Sequence, residues 1–431
     1  MCVGQSRAFA HRMKPVATLI NSLLALACSG AVAVLATHHP LSPLLALAAC
    51  AAVAALVFIR LAWWPLAVLG LLPLAGLMPW TGWITVEEFD LVVLSAAAGG
   101  YARLVVSAEL RPPMRDFWRV VLLCLPFITS TLISLHIGVA DAGGLTWGWW
   151  QGYVEPLNAL RLAKPLFEVL LLLPLWLAAR DADQAHAELM LERGMLCLLA
   201  GVVAGVLWER VSFTGLLNFS ADYRASGPFW EMHVGGAALD AALVMAIPFA
   251  AVALTQARQP LRWLVLGAVC AGALYAALVT FSRIVYAAVP ASLLLGLWLR
   301  SRAGGPGNTA RWSLRLWAAG ALALLVFAAV AAWAFGSGGY RGLFMAWSIA
   351  ALTGLVWRLP FAPAQWPWLL TLGALLLAWA VVVASVLPAQ RPTLIGFLPL
   401  LLVAAPVITL AALGRLTPLW SSMRPNKPWW A

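Results

Sequence analysis

Apolar runs of about 17–22 residues recur from one end of this chain to the other, each long enough to cross a bilayer as a helix. That recurrence limits the fold more than any single motif does. Inside lipid a backbone must satisfy its own hydrogen bonds, which leaves helices and closed barrels, and no period-2 alternation of a barrel strand is present. The reading is an all-α polytopic membrane protein. Charged residues make up only 10% of the 431 positions, far below the quarter or so of a soluble domain.

The runs predict about 14 helices, with 12–14 as transmembrane spans. They fall near 16–37, 43–60, 61–79, 88–107, 120–138, 164–180, 194–209, 236–255, 263–281, 284–300, 316–335, 342–358, 367–387 and 394–413. No linker rich in Gly, Ser or charge marks a separate soluble domain, so residues 1–431 read as one transmembrane domain. No internal repeat is evident. The six cysteines lie mostly inside apolar runs and form no CxxC pair; they read as small buried hydrophobes. "LLALACSG" around Cys28 has the look of a lipoprotein cleavage site, but its apolar run continues to Thr37, as a first membrane helix would.

The formal charge of +11 suggests a polyanionic partner until the cations are placed. With the N-terminus in the cytoplasm, nineteen of the 27 Lys and Arg fall in inner connections, from Arg7, Arg12 and Lys14 to Arg424 and Lys427. Arg103 sits near the inner end of its helix. Only Arg161, Lys164, Arg210, Arg224, Arg283, Arg341 and Arg391 remain outside. The asymmetry predicts that both termini face inward and explains the charge without nucleic acid. Tryptophans near helix ends, such as Trp147, Trp149 and Trp150, fit an interfacial belt.

The outer cations are the ones that the orientation rule disfavours. Two stand out. Arg224 lies in "DYRASGPF", within a stretch that also gathers Asp222, Glu231 and His233. Arg283 lies in "VTFSRIVYAAVP", at the tip of a tight hairpin between two helices. Arginine at a membrane surface is costly unless paired or used, and its planar fork suits phosphate oxygens. Two such groups at one face are a diphosphate site in outline, to which Arg161, Lys164 and Arg210 would add charge. The plainer reading is that each snorkels to lipid headgroups.

"TFSRIVYAAVP" resembles the "SRG-A-A" helix start of the O-antigen ligase and polymerase superfamily. "DYRASGPFWEMHVGGAALDAALVMAIPF" resembles the family's upstream "R-x-x-G-x-F" segment, which also precedes a membrane helix. The separation of about sixty residues, with two helices between, is similar too. The resemblance covers roughly residues 60–300, leaving 301–431 as additional C-terminal helices. It implies a bundle like that of GT-C glycosyltransferases in the bacterial inner (plasma) membrane. It also implies transfer of a glycan from an undecaprenyl-diphosphate-linked donor, at the periplasmic face, to a glycan, lipid or protein acceptor, with no metal or other cofactor. Arg224 and Arg283 would hold the donor diphosphate and stabilise the leaving group, since fixed cations lower a barrier at which phosphate charge builds.

The family usually carries a long periplasmic loop after the "SR" helix, with a histidine proposed as base for the acceptor hydroxyl. Here no histidine follows Arg283, and the later outer connections "GSGGYR" and "PAQRP" are short. Three explanations compete: an incomplete member, a member inactive in transfer, or a base supplied by His233, nine residues from Arg224. A histidine at a helix start also has the ordinary reading of a structural residue. Asp240 is placed to pair with it or with an arginine. Glu168 reads as the i,i+4 partner of Lys164.

Other motifs carry less. "VEEFD", with Glu87, Glu88 and Asp90, resembles the acidic metal motif of other GT-C enzymes, though an outer helix cap is the plainer reading. "NFS" at Asn218 fits a glycosylation sequon. "GGPGNTAR" lacks the lysine and the strand of a phosphate loop. A transporter or flippase for a lipid-linked or anionic solute is the alternative function; it predicts charges near the midplane, broken helices and paired repeats.

Overall fold

The computed structural model describes residues 2–107, 110, 112–216, 218, 223–229, 236–257 and 259–303, with 333, 336 and 339. Among the described residues there are helices and turns and no strands. The α-helices are α1 (Cys2–Thr37), α2 (Pro43–Ile59), α3 (Trp64–Leu71), α4 (Met78–Thr81), α5 (Glu88–Val106) and α6 (Met114–Leu123). They continue as α7 (Leu125–Asp141), α8 (Asn158–Ala182), α9 (Gln184–Phe213), α10 (Ala237–Gln256), α11 (Pro260–Val279) and α12 (Arg283–Ala303). Six are long and apolar enough to cross a membrane, and the α6–α7 pair makes a seventh if it counts as one span. The protein is therefore an all-α, multi-pass membrane protein. The four helices expected between 316 and 413 lie outside the described residues.

Two expected helices are broken, both at proline. The run at 61–79 becomes a 3-10 turn (Leu61–Trp63), α3, a second 3-10 turn (Leu72–Leu74) and α4. Pro73 has no N–H to continue the helix, and its ring crowds the preceding turn. The run at 120–138 splits into α6 and α7, bent by 65° at Cys124, two residues before Pro126. Hydropathy averages over such breaks, because proline and its neighbours here are all apolar.

The chain divides into two compact units, Met1–Trp208 with Ser226–Val269, and Glu209–Ala225 with Cys270–Ala431. In the first, α5 is the central helix, with α1, α2, α3 and α8 around it. Its run Ala96–Tyr101 is small and fully buried. A Cβ on Gly99 would collide with the Ala54 carbonyl of α2, and one on Gly100 would press into Leu175 of α8. Without a hydrophobic drive between helices in lipid, this close backbone approach is what holds them together. Tyr101 Oη donates to the Leu171 carbonyl at 2.7 Å, so the one polar atom in the run is satisfied.

Three connections meet at one end of this unit. His38 stands edge-on to Trp147 and Trp150, with ring centroids 6.3 and 5.9 Å away. Thr85 Oγ1 donates to the Gly152 carbonyl at 3.2 Å. His39 faces Glu88 at 3.5 Å. Other connections meet elsewhere: Arg60 lies over the Trp63 ring, and Trp63 Nε1 bonds His186 at 3.3 Å.

Candidate functional site

The second unit contains Arg210, Arg224 and Arg283, and its local structure explains how each is held. α11 ends at Val279 and α12 begins at Arg283, with three residues to reverse the chain. Phe281 takes the left-handed conformation at φ 51°, the one described non-glycine residue to do so. Such a backbone costs on the order of 1 kcal/mol and persists where neighbours fix it. The neighbours are on hand. Thr280 Oγ1 donates to the Ala277 carbonyl at 2.8 Å and accepts from Ser282 N at 3.2 Å. Tyr286 Oη donates to the Leu278 carbonyl at 2.8 Å. Thr280 and Ser282 are buried, while Arg283 is exposed on the first turn of α12. A cation there opposes the helix dipole, whereas an anion would be favoured.

The segment bearing Arg224 is tied to this turn. Ala225 N donates to the Val279 carbonyl at 3.2 Å, one residue after Arg224 and four before Arg283. Arg224 is exposed and Ala225 fully buried, so the bond anchors the backbone and leaves the arginine at the surface. These are the two segments that carry the resemblance.

Arg210 is held differently. It lies in the last turn of α9, where a cation suits the dipole. The helix stops as Thr214 N and Gly215 N both bond the Arg210 carbonyl, with Gly215 at φ 85°. The side chain is completely buried. Nη2 donates to the Asn218 carbonyl, and the Tyr275 phenol lies against the guanidinium while donating to the Leu216 carbonyl at 2.7 Å. Nε and Nη1 have no hydrogen-bond partner among the described residues. A buried donor left so costs about 1–3 kcal/mol, and this one carries charge.

Glu209 and Tyr223 complete the group, and residue types alone gave no cause to select them. Glu209 is fully buried and accepts from Tyr223 Oη at 2.8 Å; the Tyr223 ring stacks on Phe213. Burial, and after it the Glu209 carboxylate, push the Tyr223 phenol up to about 12, so it stays a donor. A signal was present in "WER", an acid and a base side by side at the end of an apolar span. A buried carboxylate there requires a donor, and a tyrosine fourteen residues on is one.

Arg161 and Lys164 belong to the first unit, and carboxylates match their charge. Lys164 Nζ reaches Asp90 at 2.7 Å and Glu87 at 3.7 Å, and Arg161 lies 3.5 Å from Glu87. Asp90 also accepts from Glu87 N at 2.7 Å, a bond that caps α5. Glu168 lies against Asp90, with Lys164 and Glu87 beside it, so it joins this network rather than forming a simple pair within α8. Glu88 points away, to His39 and Thr81. Glu87 and Asp90 of "VEEFD" thus share Lys164 while Glu88 turns to His39 and Thr81, and among the described residues no group of three or more His, Cys, Asp or Glu is arranged to hold a metal ion.

His233, Asp222 and Glu231 lie outside the described residues. Compared with protein-family models, with curated proteins and with solved structures, the chain finds no match in any of the three.

Proposed function

We propose that this protein transfers or polymerises a glycan from an undecaprenyl-diphosphate-linked donor to a glycan, lipid or protein acceptor. The reaction would occur at the periplasmic face of a bacterial inner membrane, with both termini cytoplasmic. The observation that carries the reading is the Ala225 N–Val279 O hydrogen bond, which joins the segment of Arg224 to the strained turn of Arg283. Two arginines on tethered backbones, beside the N-terminus of α12, form a pre-set anion site. As the glycosyl–diphosphate bond breaks, charge grows on the departing phosphate, and cations already in place stabilise it without reorganising. Arg210 would serve the same anion from the buried side, which would satisfy its unpartnered N–H groups. His233 remains the candidate base.

Binding of undecaprenyl diphosphate to the purified protein tests this directly. Arg224→Ala and Arg283→Ala should each weaken it by tenfold or more while the protein still inserts and folds, and each should abolish glycan transfer. Equal binding in all three proteins would reduce the arginines to headgroup anchors.

A second reading draws on the 65° break between α6 and α7 and the interrupted run at α3–α4. Broken helices are a feature of transporters and flippases. Net movement of an anionic or lipid-linked solute across proteoliposomes, without covalent change, would select it.

A further inference from the structure

No residue of α6 is fully buried, and its side chains sort into three faces. Phe117, Val120 and Val121 are half-buried, and α8 packs against this helix. Met114, Trp118 and Leu122, at i, i+4 and i+8, form an apolar stripe whose members are each about half exposed or more. Arg115, Asp116 and Arg119 form a third face, also exposed, on which Arg119 Nη1 donates to Asp116 Oδ1 at 2.9 Å. Leu123 closes the helix beside the break.

The position of α6 follows from its neighbours. Only residues 107–113 separate Met114 from Val106, where the span of α5 ends, so α6 starts near the membrane surface. Two observations keep it out of the hydrocarbon core. α7 has 17 residues, about 26 Å of helix against a core of about 30 Å, so the crossing needs little from α6. The polar face also brings Arg115, Asp116 and Arg119 together within about two turns, which the core would penalise. With α7 crossing the bilayer, the 65° break at Cys124 turns α6 toward the membrane plane.

We infer that α6 lies along the membrane–water interface and seats an anionic phospholipid, its acyl chains against Met114, Trp118 and Leu122 and its phosphate on Arg115 and Arg119. Each part of the partner answers a feature of the helix. A helix with one apolar and one charged face, lying in the interface, sinks the first among acyl chains and keeps the second at the headgroups. Tryptophan favours that depth. Arg115 offers a phosphate its planar fork, while Arg119 shares its charge with Asp116. Every phospholipid has a phosphate, and net charge selects among them. Between 103 and 119 four arginines stand against two carboxylates, and such a segment attracts an anionic headgroup. The surface uses none of the arginines of the candidate site and stands whether or not glycan transfer is the reaction. It gives the 65° break an origin at the membrane surface rather than in a transport path.

The test uses the full-length protein in nanodiscs of phosphatidylglycerol and phosphatidylethanolamine in equal amounts. The photo-crosslinking residue p-benzoylphenylalanine replaces Trp118, Asp116 or Val121 in turn, and adducts are identified by mass spectrometry. Position 118 should form adducts with acyl chains, position 121 with the peptide of α8, and position 116 several-fold fewer adducts of either kind. At position 118 phosphatidylglycerol should be captured at least about threefold more than phosphatidylethanolamine. That preference should vanish at about 1 M salt, where charges are screened. Arg115→Gln with Arg119→Gln should bring the ratio to one, and Asp116→Asn, which frees Arg119, should raise it. Equal acyl adducts at all three positions would place α6 inside the core, and protein adducts at all three would place it inside the bundle; either overturns the interfacial helix. A ratio of one in the wild type, or a ratio that survives loss of both arginines, would overturn the anionic headgroup.

Discussion

The two units treat their cations in opposite ways. In the first, Arg161 and Lys164 lie among Glu87, Asp90 and Glu168, and the opposite charges are within a few ångströms. In the second, Arg210 is buried with two nitrogens lacking hydrogen-bond partners among the described residues, while Arg224 and Arg283 stand exposed on a tethered turn. Residue type is therefore a poor guide to role in a membrane protein. A cation lying against carboxylates, as Lys164 does, holds helices together, and the buried donors that Arg210 leaves over are open to a ligand. All five arginines and lysines satisfied the same criterion in the sequence, an outer connection that should have avoided them.

The largest effect should come from breaking the matched set. Lys164→Ala leaves Asp90 without the cation 2.7 Å away and Glu87 with Arg161 alone, and Asp90 is 7% exposed. Removing one partner of a buried pair costs about 3–5 kcal/mol, so thermal unfolding in detergent should fall steeply. Lys164→Ala combined with Asp90→Asn should recover much of that loss. An unchanged midpoint in the single variant would mean that the network is solvated and the contrast with the second unit is smaller than drawn.

Arg210→Met separates the two roles within one residue. It removes a buried charge with unsatisfied donors and keeps the volume, a change that is often neutral or stabilising by about 1–4 kcal/mol. Stability should hold or rise while affinity for undecaprenyl diphosphate drops tenfold or more. A marked loss of stability would place Arg210 with Lys164, as a structural cation.

Arg283→Ala should do less still to the fold. Arg283 is exposed, and surface changes usually stay within about 0.5 kcal/mol. The unfolding midpoint should not move, which would make the loss of ligand binding in that variant attributable to the site alone.

The sequence disclosed the membrane class and most helix positions, because apolar length is a property of consecutive residues. The first run predicted, 16–37, coincides with the span Val16–Thr37. It did not disclose the breaks at Pro73 and Pro126, which hydropathy smooths over. Nor did it disclose the division into two units, which depends on contacts between distant segments. At the candidate site, the turn at Arg283 and the segment of Arg224 were legible as short motifs. The partners of Lys164 were not, since Asp90 is 74 residues away and reads locally as a helix cap. Glu88 was visible as part of an acidic cluster. Its contacts with His39 and Thr81 were not, since His39 comes from a connection far back in the sequence.

The smallest effect lies in the pH response of the Glu209–Tyr223 pair, and it tests whether the second unit is as dry as Arg210 implies. The phenol is raised from 10.0 to about 12, first by burial and then by the bond to Glu209. Below pH 10 both folded and unfolded chains keep the proton, and the contribution of the bond is present in full. Between 10 and about 12 the unfolded chain releases the proton and the folded one retains it, so stability falls as pH rises through that window. Difference absorbance between the wild type and Tyr223→Phe isolates the one tyrosine. Its phenolate should appear near 12, and in Glu209→Gln the midpoint should move back toward 10 without reaching it, because burial is the larger cause. A Tyr223 that titrates at 10 in the folded protein would mean that water reaches Glu209. The same water would then solvate Arg210, and the two units would differ only in how many carboxylates each contains.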